Sequence, residues 1–286
     1  MRLGVHVRIA KGLASAVTEA ERIGCETIQI FAGNPNAWRE SFPTLEAVEA
    51  FRNGISRLDI RPVTLHTAYL LNLATSNDLI YSKSVQALKN ALERAKLLGA
   101  EYVVTHIGSH GGAGFAAGVK RIQEAVTSAL AASPGSHMLL LEGGSGAGNT
   151  IGSTFEQMAV LLNSLTSVGE RVGIALDTAH LWGAGYDVST VHGVNQTLDE
   201  FDNMVGLSRL RLVHCNDTRV ELGSHLDRHW HIGEGNIGIE GFRTLVNHPA
   251  LSDLSGILET PMDEPGWDVK NLNLLKSLRG LDSRPQ

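Results

Sequence analysis

Two cysteines in 286 residues, Cys25 and Cys215, are too few for a disulfide framework or a cysteine-based metal cluster. A reducing, cytoplasmic setting is therefore expected. No window approaches the roughly 18 uninterrupted apolar residues that a membrane span requires, so no membrane partner is expected. The opening MRLGVHVRIA lacks the apolar core and small-residue cleavage site of a secretory leader. Basic residues are also in short supply. Only 24 lysines and arginines face 30 aspartates and glutamates, for a formal net charge of -6. Taken alone, that balance argues against a nucleic-acid binder, whose surface is usually basic. The argument weakens if some of the acids hold divalent cations, which are often the largest charges in a site. The 12 histidines are numerous for an acidic chain of this size, and their positions are more informative than their number.

What the chain does have is a recurring unit. Short apolar, β-branched runs occur at 3–7 (LGVHV), 27–31 (TIQIF), 62–66 (PVTLH), 102–106 (YVVTH), 137–142 (HMLLLE), 172–177 (VGIALD), 210–214 (LRLVH) and 256–259 (GILE). Between them lie stretches with helical periodicity, such as 82–100 and 153–169, several of which close on glycine as a helix C-cap would. Continuous apolar strands separated by helices imply a parallel sheet buried on both faces. Eight such units predict an α/β fold, a (β/α)8 barrel forming one domain over 1–286. The alternative is a doubly wound open sheet, which usually has fewer strands and a ligand site at one switch point.

The ends of the runs carry the chemistry. The third to eighth close on His66, His106, Glu142, Asp177, His214 and Glu259, and the first carries His6. In a barrel all strand C-termini meet at one face. A lone histidine there is most often a satisfied polar residue, and a lone acid often caps a helix. Six in register ask for a common cause, and clustered carboxylates repel one another unless cations neutralise them. Three histidines and three carboxylates exceed one tetrahedral zinc. A single octahedral magnesium or manganese would prefer mostly oxygen. A polynuclear zinc site fits better. His180 follows just past the sixth run, and Asp227 and His229 share one face if their segment is extended. These three could hold one metal together. His231 continues the alternation, and whether it is a ligand, an outer neighbour or a bystander stays open. Gly233, Gly235 and Gly238 match the G-x-G-x-x-G spacing of a dinucleotide loop. No convincing strand precedes them and no ribose-binding acid follows in a βαβ unit. They are expected instead to let the loop turn tightly beside the metals.

The segments HTAYLLNLA (66–74), HIGSH (106–110), LEGGSGAG (141–148), LDTAHLWGAGYD (176–187), HCNDT (214–218), DRHWHIGEGNIG (227–238) and LETP (258–261) resemble the endonuclease IV family. Those enzymes are zinc-dependent apurinic/apyrimidinic (AP) endonucleases built on a TIM barrel. The match runs from residue 4 to about 260 with its motifs in order, and all nine metal-ligand positions hold the expected residue type. The resemblance implies three zinc ions per chain, with manganese as an alternative at one site. It implies that His66, His106 and Glu142 hold the first. Glu142 would bridge to the second, with Asp177, His214 and Glu259, and His180, Asp227 and His229 would hold the third. It further implies DNA repair by cleavage 5′ to an abasic site in double-stranded DNA, leaving a 3′-hydroxyl and a 5′-deoxyribose phosphate. Removal of blocked 3′ ends is also implied. Such a cluster suits phosphodiester hydrolysis, with Glu142 and Glu259 expected to position or deprotonate the nucleophile.

A barrel mouth reaches an abasic nucleotide only if the duplex bends and the nucleotide turns out. Tyr69 and Leu70 match the family's inserted residues; their ordinary reading is a loop packed on the next helix. Residues 34–38 (NPNAW), with Trp38, resemble a DNA-penetrating loop, but Asn36 stands where a basic residue is expected. Arg219 is placed for a phosphate or for plain solvation. Ile107 and Gly143 replace the proline and asparagine common in the family, and the second change removes a candidate hydrogen bond behind the metals. His6 and His110 are expected to support the ligands from behind. His137, His192, His225 and His248 are expected at the surface. A monomer with no obligate protein partner is expected.

The strongest rival is a xylose-isomerase-like sugar isomerase or epimerase, for which Glu142, Asp177, His214 and Glu259 alone would form the divalent-metal site. His66, His106, His180, Asp227 and His229 separate the two, because an isomerase needs no further zinc sites. An inert barrel that only recognises damaged DNA would have no use for the full ligand set.

Overall fold

The computed structural model describes residues 1–38 and 41–280. Residues 39, 40 and 281–286, part of the domain expected over 1–286, lie outside the described residues. Eight parallel strands alternate with helices: β1 (Arg2–His6), β2 (Thr27–Phe31), β3 (Val63–His66), β4 (Tyr102–His106), β5 (Met138–Glu142), β6 (Val172–Asp177), β7 (Leu210–His214) and β8 (Ser255–Leu258). Each pairs with its successor, and β8 returns to β1 with Gly256 opposite Leu3. That last pairing closes the barrel and removes the open-sheet alternative. The helices are α1 (Leu13–Ile23), α2 (Leu45–Arg57), α3 (Asp78–Leu98), α4 (Phe115–Ala132), α5 (Phe155–Ser164), α6 (Thr178–Ala184), α7 (Val191–Met204), α8 (Gly238–Asn247) and α9 (Trp267–Ser277). None of the described helices is long and apolar enough to cross a membrane.

The strands are buried on both faces because they supply two separate cores. Val104, Leu140, Ala175, Leu212 and Ile257 point inward and form a small cluster of their own. The residues between them point outward beneath the helices, where Leu65, Val103, Leu139, Leu141 and Ile174 join a much larger cluster. The register then sets the site. His106 pairs with Glu142 across β4 and β5, and Asp177 with His214 across β6 and β7, so ligand-bearing residues stand side by side on the last rungs.

Several boundaries differ from the sequence reading. Helix α3 starts at Asp78, four residues before the expected start at 82, because the Asn77 side chain accepts the N–H groups of Leu79 and Ile80. The helical stretch at 153–169 divides. After α5 the chain tightens into a 3-10 turn over Thr166–Arg171. The turn follows a fully buried Leu165 and brings Arg171 to the carbonyls of Leu130 and His137. His137 is correspondingly not a surface residue. Its ring is buried and meets the Arg171 guanidinium at 3.0 Å. Strand β8 ends at Leu258, so Glu259 stands just beyond it, its N–H donated to the Asn216 side chain at 2.7 Å.

Candidate metal centre

Side chains from strand ends and loops converge at the C-terminal mouth of the barrel. His66, His106 and Glu142 offer ligand atoms within 4.8 Å of one another, as do Glu142, Asp177, His214 and Glu259, and also Asp177, His180 and His229. Glu142 belongs to two groups. Its Oε2 lies 3.2 Å from His66 Nε2 and 3.6 Å from His106 Nδ1, while its Oε1 lies 2.9 Å from His214 Nδ1. Asp227 stands on the open side of the third group, 3.2 Å from His180 Nε2 and 3.4 Å from His229 Nε2. The third group thus has Asp177 at its inner side in addition to the three residues expected there. His229 Nε2 is 3.5 Å from Asp177 Oδ2.

The imidazoles are aimed by bonds on their far sides. His66 donates from Nδ1 to the Thr67 carbonyl at 2.7 Å, His180 from Nδ1 to the Gly143 carbonyl at 3.0 Å, and His229 from Nδ1 to the Glu259 carbonyl at 3.1 Å. A carbonyl can only accept, so each ring carries a proton on Nδ1 and turns Nε2 into the site, where it is free to bind a cation once it gives up any proton of its own. His180 Nε2 and His229 Nε2 are buried and make no aligned hydrogen bond among the described residues. Both instead face carboxylates of Asp227 and Asp177 at 3.2–3.5 Å without good alignment, and a cation between them would satisfy the nitrogens and the acids together. The donor set of imidazoles and carboxylates fits divalent zinc.

Behind the second group lies a residue the sequence reading passed over. Gln29, buried on β2, donates from Nε2 to Glu259 at 2.5 Å, and its oxygen accepts from His214 Nε2 at 2.9 Å. His214 therefore presents Nδ1 to the cluster. The only signal was a polar residue inside an apolar run. Gln29→Leu is expected to weaken divalent-metal affinity roughly 10–100-fold, measured by competition with a chromophoric chelator. Asn216 plays a similar part. It donates to Asp177 Oδ2 at 2.7 Å and takes the Glu259 N–H on its other atom. His6 Nδ1 lies 3.1 Å from Glu259 Oε1. His110 is the exception. Its Nδ1 accepts the N–H groups of Gly112 and Gly114, which ties down its own loop and leaves the ligands alone.

Charge in the cluster is strongly coupled. Burial opposes ionisation of Glu142, yet the imidazoles of His214, His106 and His66 hold its carboxyl well below the usual range. Burial likewise opposes the charge on His214, but Glu259 and Glu142 prevail and push its pKa up to about 9. Without cations the buried carboxylates therefore favour the charged form of His214, His180 and His66, while burial holds His106 and His6 toward the neutral form.

The segment 226–238 resolves into two parts. Asp227 and His229 face the cluster. His231 turns away, stacked on Trp267 at 3.6 Å, with Nδ1 meeting Asn271 and Nε2 lying 3.2 Å from Asp263. It is a packing residue, and alternation failed there because the chain leaves its extended course after Trp230. The glycines that follow do cradle an anion, but the anion is the chain's own. Buried Asp217 accepts the N–H groups of Gly233, Gly235 and Gly238 on Oδ2, and those of Ile237 and Thr218 on Oδ1, at 2.8–3.3 Å. A β-carbon at Gly235 would run into Asp217 itself. The phosphate-loop spacing here folds a backbone nest around an internal carboxylate, which pins the loop carrying Asp227 and His229.

The departures at Ile107 and Gly143 belong to one packed unit. A β-carbon at Gly143 would strike the Gly152 carbonyl and the Met158 methyl group, while one at Gly152 would strike Ile107. An asparagine has no room at 143 in this chain. The Gly143 carbonyl is retained as the acceptor for His180.

Around the rim, Tyr69 is 60% and Leu70 36% exposed, two among several large apolar side chains at the surface. The Tyr69 ring rests edge-on against Phe31 at 5.2 Å and parallel to His106 at 6.5 Å. Asn36 is exposed, whereas Trp38 is half-buried against the core. Arg219 lies 3.7 Å over the Trp230 ring, so its guanidinium is held in place rather than loosely solvated. His192 and His225 are exposed as expected, and His248 is half-buried.

Residues 17–280 match the family described as xylose isomerase-like TIM barrels. The chain is 44% identical over 279 residues to the probable endonuclease 4 of Methanoculleus marisnigri, covering 97% of this chain and 99% of that one. It superposes on endonuclease IV from Thermus thermophilus with a TM-score of 0.87 at 38% identity, over 97% of this chain and 98% of the other. A D-tagatose 3-epimerase-like protein matches with a TM-score of 0.73 at 18% identity, over 97% of each chain, a likeness of fold alone.

Proposed function

The chain belongs to the endonuclease IV family, AP endonucleases on a xylose isomerase-like TIM barrel, and from that premise we propose that it hydrolyses the phosphodiester 5′ to an abasic site in double-stranded DNA. The products would be a 3′-hydroxyl and a 5′-deoxyribose phosphate, and the same centre would clear blocked 3′ ends. The observation that carries this reading is the assembly of His66, His106, His180, Asp227 and His229 beside the four-residue set that a sugar isomerase would need. Three zinc ions per chain, when bound, would lower the pKa of water and neutralise charge on the phosphate oxygens. His66, His106 and Glu142 would hold one, Glu142, Asp177, His214 and Glu259 the second, and His180, Asp227 and His229 the third. Asp177 lies close enough to support that third group.

The chain's own groups have separate tasks. Glu259, held from behind by His6 and Gln29, aligns the attacking water and accepts its proton. Glu142 fixes the spacing between the two inner groups. Attack is in line, with inversion at phosphorus. Tyr69 and Leu70 enter the gap left in the base stack, and Arg219, braced on Trp230, meets a phosphate. The protein works as a monomer without an obligate protein partner, in the cytoplasm.

The deciding experiment is strand nicking of a duplex with one abasic site, beside an intact duplex and a ketose–aldose assay. Nicking at the lesion alone is expected. Sugar isomerisation without nicking would sink the reading. In the same assay, alanine at both Tyr69 and Leu70 is expected to raise KM on the order of tenfold, since an inserted or stacked side chain contributes about 1–3 kcal/mol. Metal content should not change.

A further inference from the structure

One cavity at the barrel mouth extends outward from the metal ligand Glu259. It has a volume of about 590 Å³ and lies between the β1–α1 and β8–α9 loops, with His6, Tyr69 and Glu259 on the wall nearest the centre. Arg8 and Lys11 line its outer side. Both are exposed, and neither makes a hydrogen bond or ion pair among the described residues. The acids on the same wall are already engaged. Glu19 accepts Arg22 at 2.6 Å, Asp268 accepts the same guanidinium at 2.8 Å, and Glu259 is held by His6 and Gln29. Arg8 and Lys11 are thus left with their hydrogen-bonding N–H groups open to the cavity, although Lys11 lies near enough to Glu19 to help hold its carboxyl below the usual range.

The chain as a whole carries a formal net charge of -6. A protein that must approach a polyanion needs local cations where the backbone passes. The β2–α2 loop has Asn36 where a cation is expected and supplies none at that position. The β1–α1 loop is its neighbour in the barrel order and supplies two. We propose that Arg8 and Lys11 form a phosphate-binding patch that seats the DNA backbone beside the metal centre. The inference rests on the DNA reading above. The two side chains grip phosphates without reading bases, so they set the affinity and salt dependence of the duplex and leave the bond-breaking step alone.

The test is kcat/KM for an abasic duplex across a salt series, with Arg8→Gln and Lys11→Gln combined. The wild-type plot of log(kcat/KM) against log[salt] is expected to fall steeply. Losing two phosphate contacts should flatten its slope by about 1.8, from about 0.9 per contact. At moderate salt kcat/KM should drop on the order of tenfold, with kcat and zinc content unchanged. The charge-preserving pair Arg8→Lys and Lys11→Arg should restore the slope, which a purely structural role would not require. Arg57→Ala, at the far end of α2, is the control that should leave the slope unaltered. An unchanged slope in the glutamine variant, with the wild type nicking normally, overturns this inference alone. A wild type that fails to nick overturns the DNA reading and this inference with it.

Discussion

Alanine at Glu259 is expected to lower nicking of an abasic duplex by about 10³-fold or more, because two losses coincide there. The side chain is one of four in the Glu142, Asp177, His214 and Glu259 group, and it is the carboxylate that His6 and Gln29 hold in place. Loss of even an outer neighbour of a metal typically costs about 10–100-fold, and Glu259 belongs to the ligand group itself. A positioned general base accounts for about 10²–10⁴-fold. Glu259→Gln separates shape from charge, because the amide keeps the volume and can still bond to Gln29. Near-background rates with a near-normal melting temperature are expected for the glutamine variant. Single-turnover nicking, with zinc measured on the same sample, makes the comparison. Wild-type rates in Glu259→Gln would remove this carboxylate as the base.

Stripping the metals should have an effect as large on activity and a further one on stability. Dialysis against a strong chelator is expected to abolish nicking, and added zinc is expected to restore it with about three ions per chain. Without cations, Glu142 is almost fully buried beside the imidazoles of His66, His106 and His214, and Asp177 is buried in the same group. Ligands that bind only the folded state stabilise it by about 2.7 kcal/mol at a hundredfold excess over Kd. For a domain of this size that corresponds to a Tm shift of roughly 5 °C or more per occupied site. Reloading should release protons, because His214 in the metal-free chain holds a proton up to about pH 9 and must give it up to bind a cation. Zinc affinity is accordingly expected to fall as pH drops below that value. Titration in two buffers of different ionisation enthalpy would count the protons. Full activity in a metal-free sample would refute the metal-centred reading, and one or two manganese ions with ketose–aldose activity would favour the isomerase.

The glycines at 233, 235 and 238 mark where reading along the chain stops short. Their spacing signals a backbone nest, and a nest does form. Its anion lies 16 residues upstream at Asp217, a partner that no local pattern announces. His231 shows the same limit from the other side. Alternation puts it with Asp227 and His229, but a single turn after Trp230 sends it to Trp267 and Asn271. Gln29 was hidden for a related reason. A polar side chain in a buried strand has no local meaning until the opposite wall of the barrel brings Glu259 and His214 to its two ends.

Amino-acid order alone therefore establishes the repeated strand–helix unit, the acids and histidines that end the strands, and the family motifs, because each is a local signal of burial or a fixed spacing. Closure of the sheet, the sharing of Glu142 between two groups, the placement of Asp177 beside the third and the open cations of the β1–α1 loop are decided only in three dimensions. Each of these depends on which side chains meet across a barrel whose neighbouring strands lie some tens of residues apart. Contact at that separation is set by the packing of the whole fold.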